Sequence, residues 1–259
     1  MNDSAPVVEV RDLTMAFGSF VVQHDLNFTV GQGDIFVIMG GSGCGKSTLM
    51  RHMIGLIRPA KGQVLYSGES FWESSAARQR ELMQKTGVLY QSGALWSSLS
   101  LADNVALPLS EYTDLSPQDI RELASLKLSL VGLAGFEDYF PSEISGGMQK
   151  RAGLARAIAL DPEIVFFDEP SAGLDPVSAH LLDELILELR DSLGATVVMV
   201  THELASIFAI GNNSIFLDPV SKTQIAQGDP NRLLRESNDP RVIEFLTRGA
   251  GRNEERKTA

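Results

Sequence analysis

The chain has 259 residues, 44% of them hydrophobic, a formal net charge of −11 and a single cysteine, Cys44. That length suffices for a sizeable core in one or two lobes, and the lone cysteine excludes an internal disulfide and a cysteine-based metal cluster. The acidity argues against a general nucleic-acid footprint and against electrostatic attraction to an anionic bilayer. The opening MNDSAPVVEV has no basic segment followed by an apolar one. No run of about 20 apolar residues occurs, so a cytoplasmic protein that reaches a membrane only through a partner is expected.

Residues 7–30 alternate apolar and polar positions around Gly18, which predicts a strand pair. Asp34–Met39 predicts a strand entering a glycine cluster, and Ser47–Leu56 continues at helical spacing. Val64–Tyr66 and Gly87–Tyr90 predict further strands. Residues 99–140 carry Leu, Ser and acidic residues at helical spacing, punctuated by Pro108, Pro117 and Pro141, and read as a helical insertion. Ser145 is a good N-cap for a helix rich in helix formers. Glu163–Phe167 is continuously apolar, as in a parallel strand buried on both faces. Asp175-Pro176 supplies a cap and a first-turn proline for a helix whose apolar stripe is Leu181, Leu182, Leu185, Ile186 and Leu189. Thr196–Val200 predicts another buried strand, delivering Thr201-His202 at its end. Residues 249–259 are small and charged, and disorder is expected there. Strands alternating with helices imply an α/β fold with a mostly parallel sheet and ligands at its C-terminal edge.

Gly40 to Ser47 fits G-x-x-x-x-G-K-S, the P-loop NTPase pattern. Its glycines let backbone N–H groups wrap phosphate oxygens, and the following helix adds its N-terminal partial charge. Gly40, Gly41, Ser42, Gly43, Cys44, Gly45, Lys46, Ser47 and Thr48 are the candidate nucleotide-binding residues. Lys46 is assigned to the β- and γ-phosphates and Ser47 to Mg²⁺. Cys44 has two readings: a small residue tolerated in the loop, or a thiol made reactive by phosphate-binding amides.

The apolar run Ile164–Phe167 ends in Asp168 and Glu169. Burial explains the strand but not two adjacent carboxylates at its exit; a metal and a water do. Asp168 is assigned to Mg²⁺, and Glu169 to orienting the attacking water or accepting its proton. Gln91 and His202, each following a predicted strand, are assigned to Mg²⁺ or water contact and to a γ-phosphate hydrogen bond. His24, His52 and His180 are taken as surface or packing residues.

Ile144-Ser145-Gly146-Gly147-Met148 resembles the signature of ABC ATPases, usually LSGGQ; Met148 departs at the fifth position. The P-loop, Gln91, signature, Asp168-Glu169, Asp175 and His202 occur in the order of that family. The resemblance implies one ATPase domain over residues 7–248, with an N-terminal antiparallel β subdomain and a helical subdomain of roughly residues 92–160 inserted in the core. It further implies ATP and Mg²⁺, and a head-to-tail homodimer. Ser145, Gly146 and Gly147 would then act on the partner's ATP, and Asp175 would lie at the interface. Phe17 matches the adenine-stacking aromatic, with a plain core aromatic as the alternative.

Tyr90–Trp96, Asp103–Leu109, Ser145–Met148 and Asp239–Leu246 are similar to segments of the ATPases of Mla/Mce-type lipid transporters. Gly173-Leu174-Asp175 departs from the Gly-Gln-Asp of close members. This resemblance implies lipid cargo, integral-membrane permease subunits, Mce-domain lipid-binding and small accessory subunits, and a location on the inner face of the cytoplasmic membrane. It also implies a C-terminal extension, residues 229–248, reaching the partner ATPase. Leu95 and Trp96 either pack between lobes or line a groove for a short permease helix. Two alternatives stay open: the ATPase of a polar-solute importer, such as one for amino acids, and a soluble ABC ATPase of DNA repair or translation.

Overall fold

The structure is a computed structural model and describes residues 6–248; the tail expected to be disordered, 249–259, lies outside them. The chain divides into two compact units, one of residues up to Ser74 and from Val198 onward, the other Ser75–Val197.

The first unit begins with an antiparallel hairpin of β1 (Val8–Phe17) and β2 (Phe20–Val30), turned at Gly18, whose φ of +59° suits glycine. β3 (Ile35–Gly40) is buried along its whole length, and Phe36 stacks on Phe28 of β2 with centroids 5.3 Å apart. Such a pair contributes roughly 0.5–1.5 kcal/mol beyond the area it buries. α1 (Lys46–Met53) ends earlier than the Ser47–Leu56 pattern predicts. Gly55 takes a φ of +72°, and a Cβ there would lie 2.4 Å from the Phe71 ring, so the chain must turn. β4 (Lys61–Tyr66) pairs antiparallel with β1 and with β5 (Glu69–Ser70), giving a sheet ordered β2-β1-β4-β5.

The second unit opens with α2 (Ala76–Gln84), which the hydrophobic pattern did not announce because Leu82 is its only buried residue. β6 (Thr86–Leu89) follows. α3 (Leu101–Tyr112) contains Pro108 without ending there, a correction to its reading as punctuation. One backbone bond is forgone, while buried Leu101, Ala102, Asn104, Val105 and Leu109 hold the helix on its packing face. α4 (Pro117–Leu130) starts with Pro117 in its first turn behind a Ser116–Asp119 capping box. A 3₁₀ turn at Pro141–Glu143 leads to α5 (Gly146–Ala157). β7 (Ile164–Asp168) pairs parallel with β6. In α6 (Pro176–Leu193) the buried stripe is Leu182, Asp183, Ile186 and Leu189; Leu181, expected in it, is exposed, because it falls a full helical step off that face.

β8 (Thr196–Val200) is buried throughout and contains the division between the units. The first unit then resumes with α7 (Leu204–Ile210), β9 (Asn213–Asp218) and β10 (Thr223–Gln227). There β9 runs parallel to β3, as expected of a mostly parallel sheet, and antiparallel to β10. Two short helices, α8 (Pro230–Glu236) and α9 (Pro240–Leu246), close the described chain, each capped by an aspartate with proline next. Among the described residues no helix is long and apolar enough to cross a membrane.

Candidate nucleotide site

The assigned residues fall into both units. Phe17, the 40–48 loop and His202 belong to the first; Gln91, Ser145–Gly147, Asp168, Glu169 and Asp175 belong to the second.

β3 delivers the loop, which begins at Gly40 with a φ of +145°; a Cβ there would stand 2.5 Å from the Leu217 carbonyl oxygen and 2.7 Å from the Cys44 sulfur. Only glycine fits. Gly45, at φ +98°, caps α1 without a side-chain bond, so no cap acceptor competes with an anion for the N–H groups of the first turn. The Lys46 ammonium donates to the carbonyl oxygens of Gly40 and Gly41, both at 3.0 Å. These are neutral acceptors, and a phosphate oxygen would be a stronger one. Ser47 and Thr48 are half-buried on α1. Cys44 is only 2% exposed, and burial pushes its thiol above the ordinary value, with Lys46 partly opposing. A buried, protonated thiol is a poor nucleophile, so the reactive reading of Cys44 is corrected to packing.

Phe17, at the end of β1, is 53% exposed, which excludes the core alternative. His202, after β8, is exposed with Nε2 3.7 Å from the Glu203 carboxylate. The other histidines are surface or packing residues. His24 contacts Asp25, His180 lies 3.5 Å from Glu184, and buried His52 places Nδ1 2.7 Å from the Ile57 carbonyl oxygen.

In the second unit four buried residues of β7 lead to half-buried Asp168. Glu169 then takes a φ of +51°. A left-handed conformation costs a residue with a Cβ roughly 1–2 kcal/mol, so the surroundings must impose it. Lys150 of α5 does much of this. It is buried, and its ammonium donates to the carbonyl oxygens of Pro170, at 2.7 Å, and Ala172, the residues that follow Glu169. Burial lowers the Lys150 pKa, and the Glu169 charge partly restores it. Ala172 N–H closes the turn on the Glu169 carbonyl at 3.2 Å. Asp175 caps α6, accepting from the N–H groups of Val177 and Ser178 at 3.0 Å and from the Ser178 hydroxyl. The Ser178 hydroxyl, then its N–H, hold this carboxyl below the ordinary range. Ser145 caps α5, accepting from Met148 N–H at 3.3 Å, and Ser145 and Gly146 are exposed at that helix start. Lys150 thus ties the signature helix to the carboxylate loop. Sequence reasoning missed it: between Gln149 and Arg151 it reads as one more solvated charge, and its carbonyl partners lie 20 and 22 residues away.

Gln91 is exposed after β6. The loop behind it is held from the backbone. Buried Asn104 accepts from Trp96 N–H at 2.7 Å and donates to the carbonyls of Trp96, Leu99 and Ser100, while Arg156 donates to those of Gly93 and Ala94. So fixed, the loop leaves Trp96 62% exposed and Leu95 half-buried.

A family model described as ABC transporter matches residues 23–172. The chain is 41% identical, over 92% of its length, to the probable ribonucleotide transport ATP-binding protein mkl of Mycobacterium tuberculosis, and spans 66% of that protein. It is 40% identical to the intermembrane phospholipid transport system ATP-binding protein MlaF of Escherichia coli K12, covering 93% of this chain and 89% of that one. Among solved structures, the ATP-binding cassette MJ0796, a post-hydrolysis dimer bound to ADP and Pi, superposes with a TM-score of 0.77 at 27% identity, over 86% of this chain and 98% of that one. The fold is also that of cbiO1 from Clostridium perfringens, part of the ABC transporter complex cbiONQ (TM-score 0.81, 24% identity, 98% of this chain and 100% of that one). With a matched signature helix, carboxylate strand and glycine-built loop, the chain belongs to the ABC transporter family.

Proposed function

We propose that the chain is the ATP-hydrolysing subunit of a membrane transporter that moves phospholipids or other lipids, bound through a permease to the inner face of the cytoplasmic membrane. The observation that carries this reading is the 40% identity to MlaF over 93% of this chain and 89% of that protein. The mkl relatives, named for probable ribonucleotide transport, favour a second reading, a polar-solute transporter; the chain spans only 66% of their length.

The residues divide the work as follows. N–H groups of residues 40–48 and the Lys46 ammonium bind and orient the phosphates, and Phe17 stacks on the base. Ser47 and Asp168 are oxygen donors of the kind Mg²⁺ takes. Mg²⁺ is commonly bound by one or two protein oxygens plus substrate phosphates. Bound there, Mg²⁺ supplies charge neutralisation of the phosphates. Glu169 orients a water and takes its proton, Gln91 contacts that water or the ion, and His202 hydrogen-bonds the γ-phosphate. Ser145, Gly146 and Gly147 complete the site of a second copy, with Asp175 at the interface, and exposed Trp96 meets a permease helix. Mce-domain and small accessory subunits complete the assembly.

The test is a pull-down of tagged Glu169→Gln protein from native membranes in mild detergent. Recovery of a permease, an Mce-domain protein and enriched phospholipid supports lipid transport. A permease with a soluble solute-binding protein and no enriched lipid moves the reading to a polar-solute importer.

A further inference from the structure

Gln23 of β2 is fully buried, a polar residue on the strand face that otherwise carries Leu26, Phe28 and Val30 inward. A buried amide is costly unless its hydrogen bonds are met; Oε1 of Gln23 is buried without a partner, so the two bonds its Nε2 makes must hold the residue in place. Its Nε2 donates to the Cys44 carbonyl oxygen, inside the 40–48 loop, at 2.8 Å, and to the Asp218 carbonyl oxygen, at the end of β9, at 3.1 Å. The same strand end is the loop's neighbour in the sheet, where Gly40 pairs with Leu217.

Asp218 leads further. Its carboxylate is buried and accepts from Ser221 N–H and hydroxyl, both at 2.7 Å, and from Arg241 Nη1 at 2.8 Å. Arg241 belongs to α9, where Asp239 fixes the guanidinium, and Phe245 of the same helix meets Phe216 edge-on with centroids 5.2 Å apart. A continuous path therefore runs from α9 through Arg241, Asp218 and Gln23 to the backbone of the phosphate loop. Every member lies in the first unit.

We propose that Gln23 is a positioning residue for nucleotide binding: it holds the 40–48 loop in its binding shape through the Cys44 carbonyl, and the docking of α9 on Asp218 sets that hold. α9 is thereby an affinity control for the loop within its own chain. The coupling is reciprocal, so nucleotide strengthens the docking of α9 as much as α9 strengthens nucleotide binding. This rests on reading the loop as a nucleotide site.

The experiment measures Mg²⁺-dependent binding of a fluorescent ATP analogue, and the KM and kcat for ATP, on the full chain. The variants are Gln23→Met, Arg241→Gln, their combination and Arg241→Lys. Each of the first two is expected to weaken binding about fivefold to tenfold and to raise KM with kcat nearly unchanged. The double variant is expected to be no weaker than the worse single one, and Arg241→Lys to recover most of the loss. Wild-type affinity in Gln23→Met, or losses that multiply in the double variant, overturns the proposal. Should Gln23→Met fail to fold, amide exchange in residues 41–46 of Arg241→Gln decides: faster exchange supports the path and unchanged exchange overturns it. A wild-type chain that binds no nucleotide overturns the nucleotide reading of the loop, and this proposal with it.

Discussion

Two loops end two buried strands, and they are held in opposite ways. The phosphate loop after β3 keeps its shape through glycines at positive φ and through backbone groups, with Gly40 too crowded for any Cβ. The carboxylate loop after β7 has a glycine at positive φ only further on, at Gly173. At its start a glutamate itself occupies the left-handed region, and a buried lysine from α5 pins the next carbonyls. The first loop takes its shape from backbone groups, and Lys46 is the one charged side chain it presents. The second must aim one side chain, and the strain falls on the residue that is aimed.

The largest expected effect separates the two loops by function. Lys46→Ala is expected to lose both nucleotide affinity and hydrolysis, since charge stabilisation of several kcal/mol is removed. Glu169→Gln keeps the loop geometry and should retain ATP while hydrolysis falls by about 10²–10⁴-fold. With Mg-ATP it should also elute as a dimer on size exclusion. Hydrolysis near the wild-type rate in Glu169→Gln would remove that carboxylate from the chemistry, and a strictly monomeric elution would contradict the shared site.

The same contrast explains what could be read in the sequence. The phosphate loop was legible because its physics is local: glycine spacing after an apolar strand and before a helix. Asp175 and Ser145 were legible as caps for the same reason, and β8 was placed at Thr196–Val200 because it is buried along its whole length. What escaped was either weakly apolar or paired over distance. α2 buries little, Pro108 is outvoted by the packing of α3, and Leu181 sits one helical step off its stripe. Lys150 and Gln23 acquire meaning only from carbonyls on distant elements.

A moderate effect is expected at Lys150. Lys150→Met fills much of the same volume but leaves the Pro170 and Ala172 carbonyls without the ammonium and Glu169 without its neighbouring charge. The strained turn should relax. The rate should fall about 10- to 100-fold, because a misplacement of about 1 Å costs that much, while nucleotide affinity changes little. Equal losses of affinity and rate would mean that Lys150 supports the whole unit rather than the aim of Glu169.

The smallest effect belongs to the phosphate-loop side and is read by pH. His52, near the end of α1, is buried with Nδ1 directed at the Ile57 carbonyl, so this nitrogen carries the hydrogen and Nε2 is left buried without a partner. A proton added to Nε2 would find no acceptor. Burial accordingly holds the His52 pKa below its ordinary value of 6.5, against the opposing pull of the Ile57 carbonyl. The unfolded chain then binds this proton more readily than the folded one. The resulting stability is present above the unfolded value and is lost as pH falls through the depressed folded value. His52→Asn keeps a donor for Ile57 and cannot titrate in this range. Between pH about 7.5 and 5.5 the melting temperature of the wild type should therefore fall more steeply than that of His52→Asn. Parallel pH profiles would show that His52 takes up its proton as readily in the fold as in the unfolded chain, and that burial behind the phosphate loop does not penalise the charged ring.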